Sequence, residues 1–189
     1  MRCMMCENLS LSHICKPCQN NLLQPSLYKR ELLGGIAVFS FYKYSEIKEL
    51  LHTKHTDVGY YIYTILAKLA FKTFAEHFHT QEHYSAIAID DTAKSGYSHT
   101  AILNKHLGSY NIKPLFNILR AQNDVSYSGK SKSFREQNKR DFRCSTIKAK
   151  KIILVDDIIT TGTTMQEAIR TIGRSKVAFC LCLADARKF

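Results

Sequence analysis

Thirteen consecutive residues, Ile152–Thr164 (IILVDDIITTGTT), constrain the fold of this chain more than any other stretch. Lys151–Val155 reads as a buried strand with charged flanks, and Thr163–Ile172 as a helix that Gly173 is placed to end. The strand delivers Asp156 and Asp157 to its C-terminal edge, where open α/β sheets bind ligands. Successive residues diverge there, so the two carboxylates can address two neighbouring hydroxyls of a sugar. Ionised carboxylates only accept hydrogen bonds, and hydroxyls supply the donors. Thr160, Thr161, Gly162, Thr163 and Thr164 follow. The free N–H groups and dipole of a helix start favour a phosphate, the threonine hydroxyls add donors, and Gly162 permits a tight turn. The stretch is neither a Walker A loop nor a dinucleotide fingerprint, because it has a single glycine and no Gly-Lys-Ser/Thr. The plainer alternative is a helix after a strand, with both acids simply solvated.

The surrounding pattern extends this unit into a sheet. Ile36–Tyr42, Ala86–Ile89, Leu115–Leu119 and Val177–Leu183 read as strands. Ser45–Leu51, Val58–Phe78 (capped by Asp57) and Thr100–Leu107 read as helices. Strands alternating with helices predict an α/β fold with a doubly wound parallel sheet. Residues 1–33, polar and cysteine-rich, are expected to form a small knuckle and linker. Gly34-Gly35 marks the boundary to an α/β domain over 34–189. The loop that opens Asp90-Asp91-Thr92-Ala93-Lys94-Ser95-Gly96 is a candidate second anion site through Lys94, or else an ordinary polar loop. Residues 121–140 are polar and basic, and loops of that length are functional or disordered.

Four of the seven cysteines fall in Cys3-x-x-Cys6 and Cys15-x-x-Cys18. Two such pairs can close a tetrahedron around one ion, and an all-sulfur set points to zinc. Four thiolates leave no open coordination position, so the expected site is structural. The first 24 residues hold too few apolar groups to order themselves, and the metal would supply the missing folding energy. His13 is a competing ligand, and the redox reading of Cys-x-x-Cys lacks its usual βαβ context. Cys180 and Cys182 share one face of the last strand and read as core thiols. The longest apolar run, Tyr60–Phe71, is short and contains Lys68, so no membrane insertion is expected. The N-terminus lacks a secretory run, which predicts a cytoplasmic protein with reduced thiols.

Twenty-seven Lys and Arg against sixteen Asp and Glu give a formal charge of +11. That surplus suits nucleic acid, a phosphorylated metabolite or an anionic membrane, or marks a merely basic protein. Between Tyr127 and Lys151 the basic residues include Lys130, Lys132, Arg135, Lys139 and Arg140, opposed only by Glu136 and Asp141. Tyr127, Phe134 and Phe142 interleave with them. Three readings stand side by side: a contact surface for single-stranded nucleic acid, a lid that brings cations to a bound phosphosugar, and a solvated loop.

Ile152–Thr164 resembles the 5-phosphoribosyl-1-pyrophosphate (PRPP) motif of type I phosphoribosyltransferases. The resemblance implies that Asp156 and Asp157 hold the ribose hydroxyls and Thr160–Thr164 the 5-phosphate, with Mg²⁺ accompanying PRPP. A four-cysteine knuckle ahead of that motif resembles the ComF family of competence proteins, as do Arg120, Arg135, Asn138 and Phe142. Ser95-Gly96-Tyr97-Ser98-His99 stands where that family often has Arg-Gly-Phe-Asn-Gln. The resemblance implies a role in natural transformation: handling imported single-stranded DNA in the cytoplasm beside other DNA-uptake proteins. An active phosphoribosyltransferase working on a nucleobase or another acceptor is the alternative. No acceptor nucleophile or general base is identifiable.

Overall fold

The computed structural model describes residues 1–32, 34–90, 92–93, 96–123 and 140–187. Lys94, Lys130, Lys132, Arg135 and Lys139 lie outside the described residues, as do Asp91, Ser95 and Asn138. The strands are β1 (Tyr28–Glu31), β2 (Ala37–Lys43), β3 (Tyr84–Ala88), β4 (Ile112–Leu115), β5 (Leu119–Ala121), β6 (Phe142–Cys144), β7 (Ile152–Ile159) and β8 (Val177–Asp185). Six of them form one sheet in the order β1-β2-β8-β7-β3-β4, and β5 and β6 pair separately. All pairings in the large sheet are parallel except β1 with β2.

The helices are α1 (Lys16–Leu22), α2 (Tyr44–Leu51), α3 (Asp57–Ala67), α4 (Thr73–His77), α5 (His99–Lys105) and α6 (Thr163–Ile172). They cover both faces of the sheet. On β7, Ile153 and Val155 face a core shared with α2, α3 and α5, while Ile152 and Leu154 face a second core with α6, β5 and β6. The central strands are apolar on both sides because both sides are buried. Cys180 and Cys182 are fully buried in the second core.

Several elements differ from the sequence reading. The expected strand Leu115–Leu119 is split, with Leu115 ending β4 and Leu119 opening β5. Asn117 takes φ 57 there and breaks the chain direction. β4 is an edge strand, so Pro114 does not interrupt the sheet's interior hydrogen bonding. β1 falls within the first 33 residues but is hydrogen-bonded to β2 in the large sheet. The long helix begins under Thr56, whose hydroxyl accepts from the Gly59 N–H, rather than under Asp57. A π-helical turn, Lys68–Lys72, then divides it. That extra residue per turn rephases the helix and buries Ala70, Phe71 and Ala75 together. Among the described residues, no helix is long and apolar enough to cross a membrane.

Candidate functional site

The sheet order creates a crevice between β3 and β7. From β3 the chain passes through α5 to β4 on one side; from β7 it passes through α6 to β8 on the other. The loops after β3 and β7 therefore diverge, as at the switch point where ligands of such sheets bind. β3 pairs with β7 only as far as Ala88↔Val155. β8 continues beside β7 to Ile159↔Asp185, so the strand runs past the acid pair instead of ending at it. Asp156 and Asp157 are thus the first β7 residues past its last β3 pairing.

The two acids occupy unlike surroundings. Asp157 is buried at 7% exposure. Its Oδ1 accepts from the Ile158 N–H at 2.8 Å. Its Oδ2 accepts from Lys54 Nζ at 3.2 Å and from the Tyr63 hydroxyl at 3.4 Å, and His99 Nε2 lies 3.4 Å away. Burial works to raise the Asp157 pKa, but Lys54 and His99 more than offset it and hold the carboxyl well below the usual range. Burial lowers the His99 pKa despite Asp157, so Lys54, whose pKa Asp157 raises, is the partner that stays charged as pH rises. Asp156 is half-buried and accepts from the Asp157 N–H at 2.8 Å. Burial, then the neighbouring charge of Asp157, pushes its pKa well up. One acid is firmly ionised and paired, and the other is the more readily protonated.

Asp90 closes the crevice from the β3 side at φ 52. Its Oδ2 takes Arg140 Nη1 at 2.6 Å, and its Oδ1 accepts from the Thr92 hydroxyl and the Ala121 N–H. Glu167 of α6, also buried, accepts from the Arg140 and Asp141 N–H groups at 3.2 and 2.7 Å. Arg140, singled out in sequence as a nucleic-acid contact, is placed against Asp90 inside the crevice. Its side chain is 24% exposed.

The Thr-Gly turn ends the crevice on the α6 side. Thr160 and Thr161 are exposed, and the Thr161 and Thr163 hydroxyls are 3.0 Å apart. Gly162 is the N-cap of α6 and offers no side-chain cap. It takes φ 81, and a Cβ there would lie 2.5 Å from Leu32 Cδ2. Gly162→Ala should therefore lower stability by about 2–4 kcal/mol, combining left-handed backbone strain with an overpacked contact. Urea denaturation measures this, and a loss under 1 kcal/mol would contradict the strain argument.

At the N-terminus, the Sγ atoms of Cys3, Cys6, Cys15 and Cys18 all lie within 4.8 Å of one another. Cys6 and Cys15 Sγ are 3.7 Å apart. A tetrahedral ion with bonds of about 2.3 Å requires sulfurs about 3.8 Å apart, so the four can hold one metal ion. The N–H groups of Met5 and Cys15 point at Cys3 Sγ. Burial raises the Cys3 pKa, but hydrogen bonds from the backbone of Cys15, Cys6 and Met5 outweigh it and bring the thiol down to about 6. The knuckle is joined to the main core: Cys3, Ile14, Cys18 and Leu23 are buried with α2 and α3 residues, and the Tyr42 hydroxyl donates to the Leu23 carbonyl.

Sequence reasoning singled out the acid pair, the Thr-Gly turn and the four cysteines, which the structure sets at one sheet edge and in one cluster. It missed Lys54, Tyr63, His99 and Glu167, which carry no motif and meet the site only through the fold.

A parallel α/β sheet with acids and an uncapped helix start at its switch point defines the class. Residues 24–184 match the family model described as PRTase-CE, and the chain belongs to that phosphoribosyltransferase-like family. Three solved structures are similar at low identity. A hypoxanthine phosphoribosyltransferase from Staphylococcus aureus is 15% identical over 65% of this chain and 62% of its own, with a TM-score of 0.38. This chain therefore spans less than two thirds of that protein. A hypoxanthine phosphoribosyltransferase from Trypanosoma cruzi, a ternary substrates complex, is 15% identical over 75% and 70%, with a TM-score of 0.38. A hypoxanthine-guanine-xanthine phosphoribosyltransferase is 18% identical over 65% and 63%, with a TM-score of 0.34. No curated protein matches the chain.

Proposed function

We propose that the protein binds PRPP with Mg²⁺ at the β3/β7 crevice and acts as a ComF-type competence protein, handling imported single-stranded DNA in the cytoplasm. The observation that carries the first part is the shared edge of Asp156, Asp157 and the uncapped start of α6. The acids offer acceptors for a sugar diol, and Thr160–Thr164 offers hydroxyl and backbone donors for its 5-phosphate. Lys94, which follows β3 in the sequence, is assigned to the pyrophosphate, whose charge Mg²⁺ shares. Zinc is assigned to Cys3, Cys6, Cys15 and Cys18, where it ties the knuckle to the core.

The DNA reading rests on the charge of +11 and the basic run that contains Lys130, Lys132, Arg135, Lys139 and Arg140. Neutralising Lys130, Lys132, Arg135 and Lys139 together should weaken binding of a single-stranded oligonucleotide. The slope of log affinity against log salt should shrink by about 3, at about 0.7 per phosphate contact. An unchanged affinity and slope would remove this segment from the DNA surface.

The rival reading is phosphoribosyl transfer to a nucleobase or another acceptor. In that reaction Asp156 and Asp157 would position the ribose as pyrophosphate leaves. Following PRPP consumption across a panel of nucleobases separates the two. Competence handling predicts no turnover above background, and turnover at about 1 per second or faster would establish the transferase.

A further inference from the structure

Lys54 has no place in the motif, yet the fold is shaped to deliver it. It sits in the 3-10 turn His52–His55 between α2 and α3, 103 residues from Asp157 in sequence. Its carbonyl accepts from the Tyr97 hydroxyl at 2.7 Å, which ties the turn to the loop after β3. Gly59 makes that approach possible, since a Cβ there would run into the Thr53 carbonyl oxygen and the Tyr97 hydroxyl. The Lys54 ammonium thus reaches Asp157 Oδ2, one of the two acceptors this carboxylate offers a sugar hydroxyl. With Tyr63 also on Oδ2 and Ile158 N–H on Oδ1, the carboxylate is well supplied with donors.

A pentose held by its diol at the acids and by its 5-phosphate at α6 has a fixed direction. C4, which carries C5, and C1 flank the ring oxygen across from the diol, so with the diol at the acids and C5 toward α6 the C1 substituent falls toward the β3 and α5 side. That is the side from which Lys54 and His99 approach. A diol hydroxyl that takes Asp157 Oδ2 displaces the Lys54 ammonium from that oxygen, and the ammonium can then meet another anion.

Resting on the sugar-phosphate reading of this crevice, we propose that Lys54 is a specificity-determining residue that exchanges Asp157 for an anionic group on C1 of the bound sugar. PRPP supplies that anion. Ribose 5-phosphate does not, and leaves the ammonium only the charges of Asp157 and Asp156.

The test is calorimetric titration of the wild-type protein, Lys54→Gln and Lys54→Arg with PRPP and with ribose 5-phosphate, both in Mg²⁺. Gln can still donate to Asp157 but carries no charge. In Lys54→Gln, PRPP affinity should fall about tenfold, the worth of one charge-assisted hydrogen bond. Ribose 5-phosphate affinity should hold or rise, and Lys54→Arg should keep the wild-type preference. Equal losses for both sugars in Lys54→Gln would overturn the inference while leaving the site reading intact. Failure of the wild-type protein to bind either sugar would remove the site reading, and this inference with it. Should Lys54→Gln not fold, the wild-type ammonium resonance of Lys54 decides: a shift with PRPP but not with ribose 5-phosphate supports the exchange, and identical responses overturn it.

Discussion

Asp157→Asn should lower the stability of the free protein by about 2–4 kcal/mol, somewhat less than breaking a fully buried ion pair because Lys54 keeps some exposure. Asp157 is buried, and its side chain meets Lys54, Tyr63 and His99 from the turn after α2, from α3 and from α5. Removing its charge leaves the Lys54 ammonium beside a neutral amide and weakens the junction of three elements with β7. In a chain of this size, the melting temperature should fall by about 2–4 °C for each kcal/mol lost. The effect also has a pH signature. The folded-state pKa of Asp157 is depressed, so its contribution is fully present above the unfolded carboxyl value of about 3.9 and is lost as pH falls toward the native value. Thermal melts of the wild type and Asp157→Asn should therefore differ most at neutral pH and converge in strong acid. Asp156→Asn should have a much smaller effect, because Asp156 is half-buried with its pKa already raised. Equal losses for the two variants would contradict the unlike surroundings described for them.

The second large effect concerns the knuckle. Purified protein should carry one zinc per chain in native mass spectrometry, and Cys3→Ser with Cys15→Ser should carry none. Structural zinc in small knuckles contributes about 10–16 kcal/mol of apparent binding energy. Its loss should release residues 1–24 from α2 and α3, with Ile14 and Leu23 leaving the core they share with those helices. Amide exchange over Cys3–Leu23 should speed up, while β7 and β8 stay protected. Full zinc content in the double variant would defeat the assignment.

How far the sequence could be read depended on how local each determinant is. Strand β7, the Thr-Gly turn and α6 are contiguous, and Thr163–Ile172 is helical over the residues its pattern predicts. The cysteines were legible because Cys-x-x-Cys places two thiolates in one turn. The end of β7 was not legible, since Ile158 and Ile159 stay extended through pairing with Ala184 and Asp185 on β8. Leu115 to Leu119 looked like a strand by composition, but the left-handed Asn117 divides it. β1 is not legible because three of its four residues, Lys29, Arg30 and Glu31, are charged, and the strand alternates half-buried with exposed at a sheet edge. Lys54 and Tyr63 lie 103 and 94 residues from Asp157. Nothing in the local sequence of either announces a role in the crevice.

Calorimetric titration of PRPP with Mg²⁺ into folded protein tests the central claim most directly, with Asp156→Asn alongside. Saturable one-to-one uptake by the wild type, reduced at least about tenfold in the variant, is the expected result. No heat of binding in wild-type protein of intact fold and full zinc content would contradict the assignment of this crevice to a ribose phosphate.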